Sequence, residues 1–339
     1  MKAIKVDSPG KLEVVDVPMP KIVQDDEILV KVRMAGICGS DMHIFNGTSP
    51  VAKYPRIIGH EFAGEVVGIG TAVSVLSIGD HVAIDPVMSC GKCYACQAGR
   101  PNVCFELQVR GVHIDGGFQE FVVVPATSAH PISKDLAWER AALVEPYSIA
   151  AQVLSRAAVK GNDTVFVMGA GPIGLCILQA VKRTGARCVI SDIIPERLEF
   201  AASMKADVMI DAGREDVRER ILAESGGKGL PVIIDSVCTP RSAQDAVDLA
   251  CNAGRVILLG FDAAPTGISQ LSIVAKELDV RGSRLNALRF PEVITWFEKG
   301  EVDASLLISG KLPFAEVSVA FARIKTQPRS TVKMLLSFD

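Results

Sequence analysis

Four cysteines fall within fifteen residues, "CGKCYACQAGRPNVC", at Cys90, Cys93, Cys96 and Cys104. Four thiolates at spacings of two, two and seven residues can close a tetrahedral zinc shell and leave no position for a substrate, which makes a staple rather than a reaction centre. An iron–sulfur cluster, also held by four cysteines, is the competing reading. A nucleophilic cysteine fits less well, because nothing nearby singles out one thiol. A second, dispersed set could do chemistry: Cys38 in "AGICGSDMHIF", His60 and Glu61 in "RIIGHEFAGEV", and Glu145 in "LVEPYSIA". Mixed sulfur, nitrogen and oxygen donors suit a zinc that keeps one position open. Taken singly each residue is weak, since a lone cysteine is more often a small buried hydrophobe.

A third pattern concerns phosphate. In "VFVMGAGPIGLCILQAVKRTGARCVISD", Gly169, Gly171 and Gly174 follow an apolar strand and open a helix. They would supply a tight turn, backbone approach to a pyrophosphate and close helix–strand packing, with the helix N-terminus facing the negative charge. Pro172 and Ile173 lie inside this loop. Asp192 ends the next strand, 18 residues past Gly174, where a carboxylate accepts ribose hydroxyls and repels a 2′-phosphate; that favours NAD over NADP. Arg197 follows as a further cofactor contact.

These groups need elements to hold them. From Met1 to about Val124 the chain reads as short strands separated by turns, among them "EILVKVRMAGIC", "GEVVGIG", "GDHVAID" and "FQEFVVV". Near "WERAALVEPYSIAAQVLSRAAV" the period changes toward helix. Apolar strands "TVFVMG", "RCVISD", "DVMID", "PVIIDSV", "RVILLG" and "LDVRGS" then alternate with helical segments, the pattern of a parallel sheet covered on both faces. A helix, "FPEVITWFEKG", and a last strand, "STVKMLLSFD", follow; this tail is too short to fold alone and is expected to return to the first domain.

Composition bounds the rest. A chain of 339 residues, 49% of them hydrophobic, is long enough for two cored domains. Net charge is −3 without long runs of one sign, so neither a nucleic-acid partner nor a basic membrane face is expected. The N-terminus lacks the apolar stretch of a signal peptide and no run is long enough to span a bilayer, so a cytoplasmic protein acting on small molecules is expected. Nine cysteines are an odd count, and Cys38, Cys176, Cys188, Cys238 and Cys251 are scattered, which argues against a disulfide framework.

"GICGSDMH", "GHEFAGEVVGIG", the four-cysteine lobe, "EP" at Glu145 and "GAGPIG", in this order, resemble the zinc-containing medium-chain dehydrogenases over essentially the whole chain. The resemblance implies an α/β protein: a GroES-like β-rich catalytic domain with both zinc sites (1–148), a Rossmann doubly wound NAD domain (149–286) and a C-terminal return (287–339). It implies two zinc ions per subunit and NAD. Cys38 and His60 would bind the catalytic zinc with Glu145 in the place of a third ligand, Glu61 ligating instead or exchanging in. Asp41 would orient His60, and Ser40 with His43 would carry the substrate proton to water. Gly39 stands where simple alcohol dehydrogenases have an arginine, as in sorbitol-like and threonine-like members. A homodimer or homotetramer is implied.

Within the family, "AKYPRIIGHEF", "GVHIDGGFQEF" and "GSRLNALRFPEVI" look closest to the starvation-sensing-type dehydrogenases and the hexonate 5-dehydrogenases. That implies NAD-linked oxidation of a sugar acid, L-gulonate to D-fructuronate, with L-galactonate, a neutral polyol or L-threonine as alternatives and a regulatory metabolite-binding protein as the non-enzyme alternative. A substrate carboxylate calls for a cation or several donors. Arg110 and His113, or Arg284 and Asn286, are the candidates.

Overall fold

The computed structural model describes residues 1–261 and 263–338. They form two compact units, Met1–Glu145 with Asn286–Gly300 and Ile308–Asp339, and Pro146–Leu285 with Glu301–Leu307. The first unit thus takes two pieces of the C-terminal part of the chain, with seven residues between them belonging to the second.

In the first unit a seven-stranded sheet runs in the order Ala129–Pro131, His81–Ile84, Glu61–Ile69, Glu27–Gly36, Lys333–Ser337, Ile308–Pro313, with Phe121–Pro125 also pairing to Glu27–Gly36. The strand Glu27–Gly36 shows why: Ile28, Val30, Val32 and Met34 are buried at alternate positions, the period of a half-buried strand. Its inward face joins Ile4, Phe62, Val66, Val82, Ile84 and Phe118 in one core. Several elements went unread in the sequence, among them the helix Val317–Thr326. The helix Gly39–Asn46 lies inside the segment expected to be mostly strands, and the strand Ile308–Pro313 carries a glycine and a proline that mask its period.

The second unit is a six-stranded sheet, Val208–Asp211, Arg187–Asp192, Thr164–Met168, Leu230–Asp235, Ala250–Leu258, Asp279–Gly282, with every pairing parallel. Val165, Phe166 and Val167 are all fully buried, as continuous apolar strands covered on both faces must be. The first strand in sequence, Thr164–Met168, is central, and the chain winds outward from it in both directions. This is the doubly wound Rossmann architecture, with its switch point between Thr164–Met168 and Leu230–Asp235. Among the described residues no helix is long and apolar enough to cross a membrane.

Candidate active site

The dispersed set converges because of strand register. Gly36 pairs with Glu61 across an antiparallel ladder, so Cys38, two residues beyond one strand, and His60, one residue before the other, meet at the same end. Ligand atoms of Cys38, His60 and Glu61 all lie within 4.8 Å of one another, a metal-sized cluster. Glu145 is not part of that trio. It sits in the first turn of the helix Val144–Ala157, is buried, and is close enough to feel the charges of His60 and Glu61.

Asp41 is fully buried behind the imidazole. Its carboxylate accepts the Cys38 N–H at 2.8 Å and the Gly59 N–H at 3.2 Å, and Oδ1 lies 3.7 Å from His60 Nδ1. One side chain thus caps the helix N-terminus and places a carboxylate beside the ring. His60 Nδ1 has no hydrogen-bond partner among the described residues, while Ser40 Oγ is 3.5 Å from Nε2. His43 is exposed, with Nδ1 at 2.8 Å from Thr48 Oγ1.

Lys333, from the last strand, had no assigned role in the sequence. Its Nζ donates to Glu61 Oε1 at 2.7 Å, to Glu61 Oε2 at 2.8 Å and to the Ile37 carbonyl at 3.2 Å, with both side chains buried. The pairings of Leu335 with Gly36 and of the Ile37 N–H with the Met334 carbonyl put it there. The only signal in the sequence is a lysine inside the apolar run "VKMLLSF".

The site is rich in acid. Burial pushes the Glu145 carboxyl up to about 8, the negative charges of Glu61 and Asp85 adding to the rise while His60 and Lys333 oppose it. For His60, burial favours the neutral ring, but the negative charges of Cys38 and Asp41 outweigh it and hold the ring well above its ordinary value. Buried carboxylates and a thiol around one imidazole are what a divalent cation neutralises, so the donor set fits zinc.

In the four-cysteine lobe, Cys93 Sγ is 3.5 Å from Cys96 Sγ and 3.8 Å from Cys104 Sγ, too far for a disulfide and suited to a shared metal. Backbone N–H groups of Cys90 and Glu106 donate to Cys104 Sγ, both at 3.3 Å. Backbone donors at Cys96 and Phe105 hold the Cys93 thiol down to about 6, favouring the thiolate that a metal binds.

In the second unit, Gly169 and Ser236 follow the two strands of the switch point, and Ser236 Oγ donates to the Met168 carbonyl at 2.6 Å. A Cβ on Gly174 would lie 1.9 Å from the Gly169 carbonyl oxygen, so only glycine lets the helix Pro172–Arg183 close on the turn. At Gly171, the N-cap, a Cβ would meet nothing within 4 Å and no side chain caps the first-turn N–H groups, which suits a phosphate. Asp192 accepts the Ala170 and Ile194 N–H groups, each at 2.8 Å, and Arg197 Nη1 lies 3.7 Å from its carboxylate. Asp192 therefore braces the glycine loop while keeping lone pairs for a ligand hydroxyl.

The four substrate candidates have different surroundings. Asn286 is 1% exposed and donates to Asp85 Oδ1 at 3.3 Å. Arg110 is buried, and the charges acting on it are Glu27 and Asp115, not the metal cluster. His113 Nδ1 accepts the Val109 N–H at 3.0 Å in a turn that rests on Gly59 through the Gly117 N–H. In the other unit, the Arg284 guanidinium lies over the Phe261 ring at 4.6 Å.

Residues 24–134 match the family described as Alcohol dehydrogenase GroES-like domain, and residues 172–299 the family described as Zinc-binding dehydrogenase. The starvation-sensing protein RspB of Escherichia coli (strain K12) is 43% identical over 343 residues, covering 100% of both chains. L-galactonate-5-dehydrogenase of the same strain is 34% identical, covering 95% of this chain and 94% of its own. The solved structure of RspB from E. coli CFT073, described as a short chain alcohol dehydrogenase complexed with cofactor NADH, superposes with a TM-score of 0.94 at 42% identity, covering 100% of this chain and 99% of that one.

Proposed function

Because this chain belongs to the zinc-type medium-chain alcohol dehydrogenases, we propose that it uses zinc and NAD to oxidise a secondary alcohol of a sugar acid, L-gulonate to D-fructuronate. The observation that carries the dehydrogenase reading is the meeting of Cys38, His60 and Glu61 in one metal-sized cluster with Asp41 behind the imidazole. The sugar-acid reading is supported by the likeness to L-galactonate-5-dehydrogenase, which also makes L-galactonate the second reading.

When bound, zinc supplies the Lewis acid for the alcohol oxygen and NAD the hydride acceptor. In this reading Cys38 and His60 hold the catalytic zinc, with Glu145 in the place of a third ligand, or with Glu61, whose oxygens also face Lys333, ligating instead or exchanging in. Asp41 fixes the imidazole. Ser40 receives the substrate hydroxyl proton and His43, exposed to solvent, delivers it to water. Cys90, Cys93, Cys96 and Cys104 hold the second zinc. The loop Gly169, Gly171, Pro172, Ile173 and Gly174 takes the pyrophosphate, with Asp192 and Arg197 beside the ribose. For the substrate carboxylate the candidates remain Arg110 and His113, or Arg284 and Asn286, the Arg110 Nε being buried without a hydrogen-bond partner among the described residues.

In domain terms, 1–148 and 287–339 carry the metals and 149–286 the nucleotide. A homodimer or homotetramer is supported by the edge strand Asp279–Gly282, flanked by Leu271 and Val274 at 74% and 75% exposure. Sedimentation analysis decides that point. The function is tested by an NADH-production screen over aldonates, polyols and amino alcohols, with and without a zinc chelator. The reading expects L-gulonate to give the highest kcat/KM and the chelator to abolish it; equal specificity constants for L-gulonate and sorbitol would sink the sugar-acid assignment.

A further inference from the structure

The helix Gly39–Asn46 ends in a cap that turns the chain back on His43. Gly47 adopts φ +75°, the left-handed conformation, and its N–H caps the His43 and Ile44 carbonyls. A Cβ on Gly47 would lie 2.8 Å from Pro9 Cβ, so the reversal is tightly enclosed. It brings Thr48 against His43 through three contacts: the Thr48 N–H donates to the His43 carbonyl at 2.9 Å, Oγ1 lies 3.4 Å from the same carbonyl, and Oγ1 lies 2.8 Å from His43 Nδ1.

The hydroxyl has one proton to give. A carbonyl oxygen can only accept, so both hydroxyl contacts are hydrogen bonds at once in a single arrangement. Thr48 Oγ1 donates to the His43 carbonyl and accepts from Nδ1–H. Nε2 is then the nitrogen with the free lone pair. We infer that Thr48 is a positioning residue, whose hydroxyl holds His43 in the Nδ1–H tautomer so that Nε2 is the proton acceptor of the alcohol oxidation. This rests on the relay reading of His43 given above. No proton passes through Thr48: Nε2 gains the substrate proton, the ring carries it as imidazolium while Nδ1–H stays on Oγ1, and Nε2 releases it to water. The free side chain favours hydrogen on Nε2, so without the hydroxyl most neutral rings would present a blocked nitrogen.

The test uses the full chain, loaded with zinc and NAD and labelled with 15N-histidine, the His43 signals being identified by their loss in His43→Gln. At a pH where the ring is neutral, the wild type and Thr48→Ser should show a protonated Nδ1 and an unprotonated Nε2; Thr48→Val should show the reverse as its major form. With the alcohol that gives the highest kcat/KM in the screen above, Thr48→Val should lower the single-turnover rate roughly 5-fold, a fraction of the total for general base catalysis. KM should stay within about 2-fold, because no substrate contact is lost, and Thr48→Ser should restore the rate. A wild-type ring with hydrogen on Nε2 would overturn the inference and leave the relay standing. So would a Thr48→Val rate equal to wild type when His43→Gln is slow. If His43→Gln itself turns over like wild type, the relay reading falls and the inference falls with it.

Discussion

Lys333 Nζ grips both oxygens of Glu61, at 2.7 and 2.8 Å, from a position 272 residues away in the chain. The contact joins the C-terminal strand to the base of the metal cluster and fixes a carboxylate that would otherwise be free to reach a metal. Replacing Lys333 by Met leaves that carboxylate buried and unpaired, which should cost about 3–5 kcal/mol. A divalent cation beside Glu61 can take over the role of the lost ammonium. The loss of Tm should therefore be larger in the chelator-stripped protein than in the zinc-loaded one. Equal losses in the two forms would show that Glu61 does not respond to the metal.

Gly36 tests the same arrangement from the other side. A Cβ there would lie 2.2 Å from Glu61 Oε2 and 3.3 Å from its Cβ and Cδ, and the carboxylate cannot simply swing aside while Lys333 holds it. Gly36→Ala should destabilise the protein by about 1–3 kcal/mol, the usual range for overpacking. In the Lys333→Met background the carboxylate can yield, so the added loss should shrink by about 1 kcal/mol. Urea denaturation of the two single variants and the double variant measures this coupling; strict additivity would mean that Lys333 does not fix the carboxylate.

The acid side of the stability profile should carry the mark of His130. Its ring stacks on Phe290, centroids 5.0 Å apart, and burial pushes it down to about 4. The unfolded chain takes up a proton near 6.5 that the folded chain refuses until about 4, so stability is lost as pH falls through that window. Asp85 slopes the other way. Burial raises it from 3.8 to about 6, so the folded chain keeps a proton the unfolded chain has released, and stability falls as pH rises through that range. The two largely cancel between pH 4 and 6. In His130→Gln the Asp85 slope should stand alone, so the stability at pH 4.5 relative to that at pH 7 should rise by roughly 2–3 kcal/mol over the wild type. An unchanged difference between those two pH values would remove His130 from the linkage.

Much of this was legible in the chain because it is local. The apolar strands, the glycine loop before Pro172–Arg183 and the four-cysteine lobe each carry their pattern within thirty residues. Cys38, His60 and Glu61 could be named, but what unites them is the register of Gly36 with Glu61, a long-range pairing that no spacing reveals. Lys333 escaped for the same reason: a lysine in a terminal strand has the composition of a surface residue until its partner is known. Nothing in the sequence singles out Thr48, because its contact with His43 depends on the left-handed turn at Gly47.

The two metal sites should fail in different ways. Cys93 belongs to a lobe whose sulfurs lie 3.5 and 3.8 Å apart and whose short elements, Tyr94–Gln97 and Pro101–Val103, have little core of their own. Structural zinc contributes directly to folding, so Cys93→Ser should lose one of two zinc ions per subunit and most of the lobe's stability. Cys38 caps a helix on the main sheet, with Ile37 buried in the large core. Cys38→Ser should keep a Tm near wild type and lose turnover by more than about 100-fold, because several kcal/mol of Lewis-acid stabilisation goes with the thiolate. Metal analysis, thermal melts and NADH production on the two variants separate these outcomes. If Cys93→Ser kept its fold and lost turnover while Cys38→Ser unfolded, the staple and the reaction centre would have to be exchanged.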